Sequence, residues 1–170
     1  MDLDSLNAVA PDEATKMLLQ CCGSKRWAQQ VTAGRPYANL EALITRANEI
    51  WRSSLQPSDW LEAFRSHPKI GEKKAREPVS DQSREWSGQE QAGVRSASPE
   101  TVDSLATLNR AYEEKFGFIF IICATGKTPE EMLSALRQRL ENDAARELTI
   151  AAEEQGKITE LRLGKLVGNS

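Results

Sequence analysis

The 170-residue chain is 39% hydrophobic and 28% charged, enough apolar matter to bury a core but too short for two ordinary domains, so a single domain spanning 1–170 is expected. Its net charge of -3 lacks the basic footprint of a nucleic-acid binder. Its longest apolar run, FGFIFIICA at 116 to 124, falls well below the ~20 residues a membrane-spanning helix needs, so neither nucleic acid nor a membrane is expected as a partner.

Pro11-Asp12-Glu13 opens a helix carrying Ala14, Met17, Leu18 and Cys21, which Gly23 is expected to stop. Ser24 caps a second around Trp27 and Val31 that halts at Gly34-Arg35-Pro36. Leu40, Leu43, Ile44, Ala47, Ile50 and Trp51 form the apolar stripe of a third. Ser58-Asp59 reads as the N-cap of the next, which places Trp60, Phe64 and His67 on one face. Pro68 disfavours helical geometry for its predecessor, so His67, the only histidine, belongs at the helix end.

Residues 80 to 94 (SDQSREWSGQEQAGV) have helical potential. Ser98-Pro99-Glu100 starts a further helix through Val102, Leu105, Leu108, Asn109 and Tyr112, closed by Gly117. Thr128-Pro129-Glu130-Glu131 is a capping box ahead of Met132, Leu133, Leu136 and Leu140, and residues 142 to 166 support one long or two short helices. Only 118 to 123 resembles a strand, and a lone strand has no ladder partner, so that stretch is expected to be buried and irregular in an all-α fold.

Few residues carry chemistry by spacing alone. Gly126-Lys127-Thr128 mimics the end of a phosphate-binding loop, but Ile121 stands where the motif needs glycine. One histidine with scattered thiols and carboxylates forms no metal-ligand pattern. Ser87 to Glu90 fits a simple capping box, although on a helix continuous from Ser83 the side chains of Ser87, Glu90, Gln91 and Val94 would share a face suited to a small polar ligand. His67 is open to two readings, a helix-end imidazole satisfied by a carbonyl or a catalytic group. The acidic start MDLDSLNAVAPDEA, the absence of Ser-Lys-Leu at the closing VGNS, and an odd set of cysteines (Cys21, Cys22, Cys123) suggest reduced thiols and a cytoplasmic location.

His67-Pro68, WSGQEQAGV at 86 to 94, EKFGFIFIICA at 114 to 124 and ITELRL at 158 to 163, in that order and spacing, closely resemble the OHCU decarboxylases, which act on 2-oxo-4-hydroxy-4-carboxy-5-ureidoimidazoline in urate breakdown. The resemblance implies an all-helical homodimer that decarboxylates this small molecule to (S)-allantoin without metal or organic cofactor. It implies that His67 is the family's essential histidine and that Glu90 helps hold it; imidazole changes charge near neutral pH, so His67 is expected to be the proton donor, with Glu90 catalytic beside it. The substrate-binding positions it implies are Pro68, the Ser87, Gly88, Gln89, Glu90 and Gln91 element, the main chain of Phe120, Ile121, Ile122, Cys123 and Ala124, and Arg162 of the C-terminal helix. The chain departs from the family pattern at Ile119, often proline, and Thr125, often arginine.

Overall fold

The computed structural model describes residues 1–67, 86 and 97–168. Among the described residues are eight α-helices and no strand, as the all-α reading expects: α1 (Leu3–Ala8), α2 (Pro11–Leu19), α3 (Lys25–Ala33), α4 (Leu40–Ser53), α5 (Pro57–Arg65), α6 (Pro99–Phe116), α7 (Pro129–Arg139) and α8 (Ala144–Val167). They divide into two compact units, Met1–Ala63 with Gly156–Ser170, and Phe64–Gln155.

In the first unit α2 packs on α3 and α3 on α4. The buried indole of Trp27 donates to the Ala47 carbonyl at 3.1 Å, so the tryptophan fills the α3–α4 interface without stranding its N–H. Local chemistry matches the expected start of α3, where the Ser24 hydroxyl accepts from Trp27 N–H at 3.2 Å.

Three boundaries differ from expectation. Helix α1 has too short an apolar pattern to announce itself. It is capped by Asp2, whose carboxylate accepts from Ser5 N–H at 2.8 Å. Its far end is tied down by Arg35, which donates to the Leu6 and Val9 carbonyls at 2.8 Å each. Helix α2 ends at Leu19 rather than running to Gly23, because Cys21 N–H turns back onto the Leu18 carbonyl at 2.9 Å and the chain bends to bury Cys21 and Cys22. Helix α5 begins at Pro57, whose fixed φ suits a first position, so Asp59 is not the cap but lies one turn in and accepts from Gln56 N–H at 2.9 Å.

The core of the second unit is built from Leu105 and Tyr112 of α6, Phe120, Ile122 and Ala124 of the following segment, and Met132, Leu133 and Leu136 of α7. Helix α6 starts under the Ser98 hydroxyl and stops at Gly117, whose φ of 81° lies where only glycine is unstrained. Val102, expected on its apolar stripe, is exposed instead. Helix α7 carries the expected capping box, with Thr128 Oγ1 accepting from Glu131 N–H at 3.1 Å and the Glu131 carboxylate accepting from Thr128 N–H at 3.2 Å. The Gly126-Lys127-Thr128 triplet is thus a tight turn into a helix, with its hydroxyl already committed.

Candidate active site

Residues 118 to 124 are irregular and bury all of Ile119 to Ala124, as expected for a segment with no ladder. Side chains from two helices and one turn partner part of their backbone. Arg139 of α7 donates through Nη1 to the Ile121 carbonyl at 2.6 Å. Glu154 of α8 accepts the Cys123 N–H at 3.1 Å, and Lys127 Nζ donates to the Cys123 carbonyl at 2.9 Å. No described residue pairs with the main-chain N–H or C=O of Ile122. Side-chain clamps thus hold the main chain on either side of Ile122.

Arg139 is itself held rigidly. Its Nε donates to Glu147 Oε1 in a buried ion pair, its Nη2 lies 3.4 Å from the Tyr112 hydroxyl, and its guanidinium stacks 4.5 Å above the Phe120 ring. Glu147, fully buried, also accepts from the Tyr112 hydroxyl at 2.7 Å and from Asn142 Nδ2 at 3.1 Å. Burial drives the Tyr112 phenol well above the usual tyrosine range, reinforced by its bond to Glu147 and opposed by Arg139, so it stays a neutral donor.

His67 sits at the end of α5, where the sequence places it, and is 7% exposed, with its main-chain N–H donating to the Phe64 carbonyl at 3.2 Å. Its Nε2 lies 2.6 Å from Gln155 Oε1 on α8. Gln155 and Glu154 are adjacent, so one turn of helix touches both the imidazole and the 120–124 main chain. Adjacent α8 residues thus contact the His67 ring and the Cys123 N–H, and the sequence reading had singled out neither Glu154 nor Gln155. Their only signal was two polar side chains in the run Glu153-Glu154-Gln155, which reads as a solvated face but turns Glu154 and Gln155 inward.

Pro68, Ser87, Gly88, Gln89, Glu90 and Gln91 lie outside the described residues. Trp86, which begins that motif, is helical and buried. Arg162 belongs to the first unit, where it is 2% exposed and its charge acts on Cys21 and Cys22. Burial pushes the Cys22 thiol up to about 12, against bonds to Ser24 and Thr159, and raises Cys21 as well, so neither is a nucleophile at neutral pH. All three cysteines are buried and none is in a disulfide. The first unit also holds a cleft of about 500 Å³ lined by Asn7, Thr15, Gln29 and Arg35, but it contains none of the expected site residues.

The OHCU decarboxylase family model matches residues 7–164, nearly the whole chain. The chain belongs to the OHCU decarboxylase family. Among relatives of this OHCU decarboxylase family member, the uric acid degradation bifunctional protein TTL of Arabidopsis thaliana is 45% identical over 146 residues, 86% of this chain. The 2-oxo-4-hydroxy-4-carboxy-5-ureidoimidazoline decarboxylase of Amia calva is 36% identical, covering 82% of this chain and 79% of that protein. The chain spans only 45% of the Arabidopsis protein and 32% of a bifunctional relative from Bacillus sp. (strain TB-90). A crystal structure of OHCU decarboxylase in the presence of (S)-allantoin superposes with a TM-score of 0.79 at 41% identity, covering 91% of this chain and 99% of that one. No helix among the described residues is long and apolar enough to cross a membrane.

Proposed function

We propose that this chain decarboxylates 2-oxo-4-hydroxy-4-carboxy-5-ureidoimidazoline to (S)-allantoin, with His67 as the proton donor. The observation that carries the reading is the buried, oriented imidazole of His67, held by the same helical turn that clamps the 120–124 main chain. Family membership over 7–164 and a solved relative crystallised with (S)-allantoin support it.

The substrate bears a carboxylate and a hydroxyl on one ring carbon, next to a carbon doubly bonded to nitrogen. That imine is an electron sink within the substrate, so the protein need supply neither a Schiff base nor thiamine. As carbon dioxide departs, the electrons of the broken C–C bond form a C=C bond and the imine π pair moves to nitrogen, which is protonated. The resulting enol loses its hydroxyl proton to become a carbonyl while the adjacent carbon takes up a proton on one face. His67 delivers that proton, which sets the handedness of the product. The Ile122 amide offers a donor to a ring oxygen as charge builds there.

Glu90 is proposed to orient His67, with Pro68, Ser87, Gly88, Gln89 and Gln91 around the substrate and Arg162 as a further substrate-binding residue, all on the strength of the family resemblance. A cytoplasmic homodimer belongs to the same reading, and sedimentation tests the dimer.

The deciding experiment follows circular dichroism of allantoin with substrate made fresh from urate. Wild type is expected to produce one enantiomer far faster than spontaneous decay, and His67→Ala to lose about 10²–10⁴-fold in kcat, the usual worth of a positioned proton donor. A His67→Ala variant retaining most of its activity removes the histidine from the mechanism. A wild type no faster than the spontaneous reaction removes the function.

A further inference from the structure

The carbonyl that Arg139 holds and the N–H of Ile122 belong to one peptide group. A trans peptide is planar, with its C=O and N–H pointing in opposite directions, so fixing one end fixes the other. The cis peptide of this structure lies elsewhere, at Arg35-Pro36. Arg139 Nη1 donates to the Ile121 carbonyl at 2.6 Å, so the Ile122 N–H faces away from the guanidinium. The next peptide is held by its opposite end. Glu154 accepts the Cys123 N–H at 3.1 Å, which turns the Ile122 carbonyl away from that carboxylate.

We infer that Arg139 is a positioning residue for the proposed decarboxylation, a role that rests on that reading: by gripping the Ile121 carbonyl it aims the Ile122 N–H at the ring oxygen of the substrate. A charged donor on the carbonyl draws electron density toward that oxygen. The N–H at the far end of the same peptide becomes a stronger donor as a result.

The grip is also stiff. Arg139 has its Nε on Glu147 and its guanidinium plane stacked on the Phe120 ring, so it cannot swing without breaking contacts on two further residues. No ladder fixes the peptide planes of residues 118 to 124, and a donor serves a developing charge only if it is in place beforehand. The buried Arg139–Glu147 pair supplies that fixity from outside the segment.

Ile121-Ile122 is the only pair of consecutive isoleucines in the sequence. A sample labelled with ¹³C′,¹⁵N-isoleucine therefore gives one HNCO cross-peak, which reports this peptide alone. Arg139→Met by itself strands the Glu147 charge, so the test combines it with Glu147→Gln, which removes both charges and leaves an acceptor for the Tyr112 hydroxyl. In wild type the cross-peak is expected to move on saturation with (S)-allantoin. In the double variant the Ile121 ¹³C′ signal should shift upfield as the carbonyl loses its charged donor, and the response to allantoin should be largely lost. Its kcat should fall about 10–100-fold with KM changed less, the scale of a misplaced transition-state donor. A merely structural arginine would lower the thermal midpoint and leave the allantoin response and kcat as in wild type, and that outcome overturns the inference. So does a wild-type cross-peak that saturating allantoin leaves unmoved, a result that needs no variant to fold. If wild type makes no (S)-allantoin above the spontaneous rate, the proposed function fails on its own account, while the resting Ile121 ¹³C′ signal of wild type against the double variant still judges the grip.

Discussion

Arg139 shows how much one side chain can hold in this unit. It neutralises Glu147, covers the Phe120 ring and donates to the Ile121 carbonyl, so a buried ion pair is put to use fixing an irregular backbone. Removing one partner of such a pair leaves the other charge buried without compensation. Arg139→Met should therefore lose about 3–5 kcal/mol in urea denaturation, and kcat should fall as the Ile121 carbonyl is released. At this scale the sequence was legible where chemistry is rare and illegible where it is common. A lone histidine before proline stands out. Gln155 does not, because a glutamine among glutamates looks like any solvated helix face until its partner is known.

Helix boundaries follow local chemistry wherever the cap is a side chain within the same turn. Ser24, Ser98 and Thr128 act as read, because capping needs only neighbours three residues away. The ends of α1 and α2 do not, since they depend on Arg35 reaching across the unit and on the burial of Cys21 and Cys22. Two glycines test the element scale with opposite signs. Gly117 has a φ of 81°, and a Cβ added there would meet no atom within 4 Å, so Gly117→Ala carries a purely conformational cost of about 1–2 kcal/mol. Gly164 is inside α8, also with nothing within 4 Å, and Gly164→Ala should stabilise by about 0.5–1 kcal/mol. Thermal midpoints of the two variants, moving in opposite directions, check both.

For the whole molecule, the buried acids predict an alkaline weakness. Cys21, Cys22 and Tyr112 all have raised folded-state values, chiefly through burial. Unfolded thiols ionise near their ordinary value of 9.0, while folded Cys22 keeps its proton to about 12. Above about pH 9 the unfolded state thus binds fewer protons than the native one, and stability falls as pH rises, by up to about 1.4 kcal/mol per pH unit for each thiol. Below that pH this contribution is fully present. Guanidinium midpoints should drop between pH 8 and pH 10.5, and Cys22→Ala should flatten the decline while lowering the midpoint at pH 8.

Patterns repeated every three or four residues, and caps that reach one turn, determined the all-α class, most helix positions and the place of His67 at a helix end, because those forces act between near neighbours in the chain. The segment 118 to 124 shows where that reach stops. Its burial was readable from its apolar run, but its stability comes from Arg139, Lys127 and Glu154 supplying hydrogen bonds that a ladder would otherwise provide. The orientation of His67 likewise comes from Gln155, 88 residues away. A buried polar group must find its partner wherever the fold brings one, and that choice was made by tertiary structure alone.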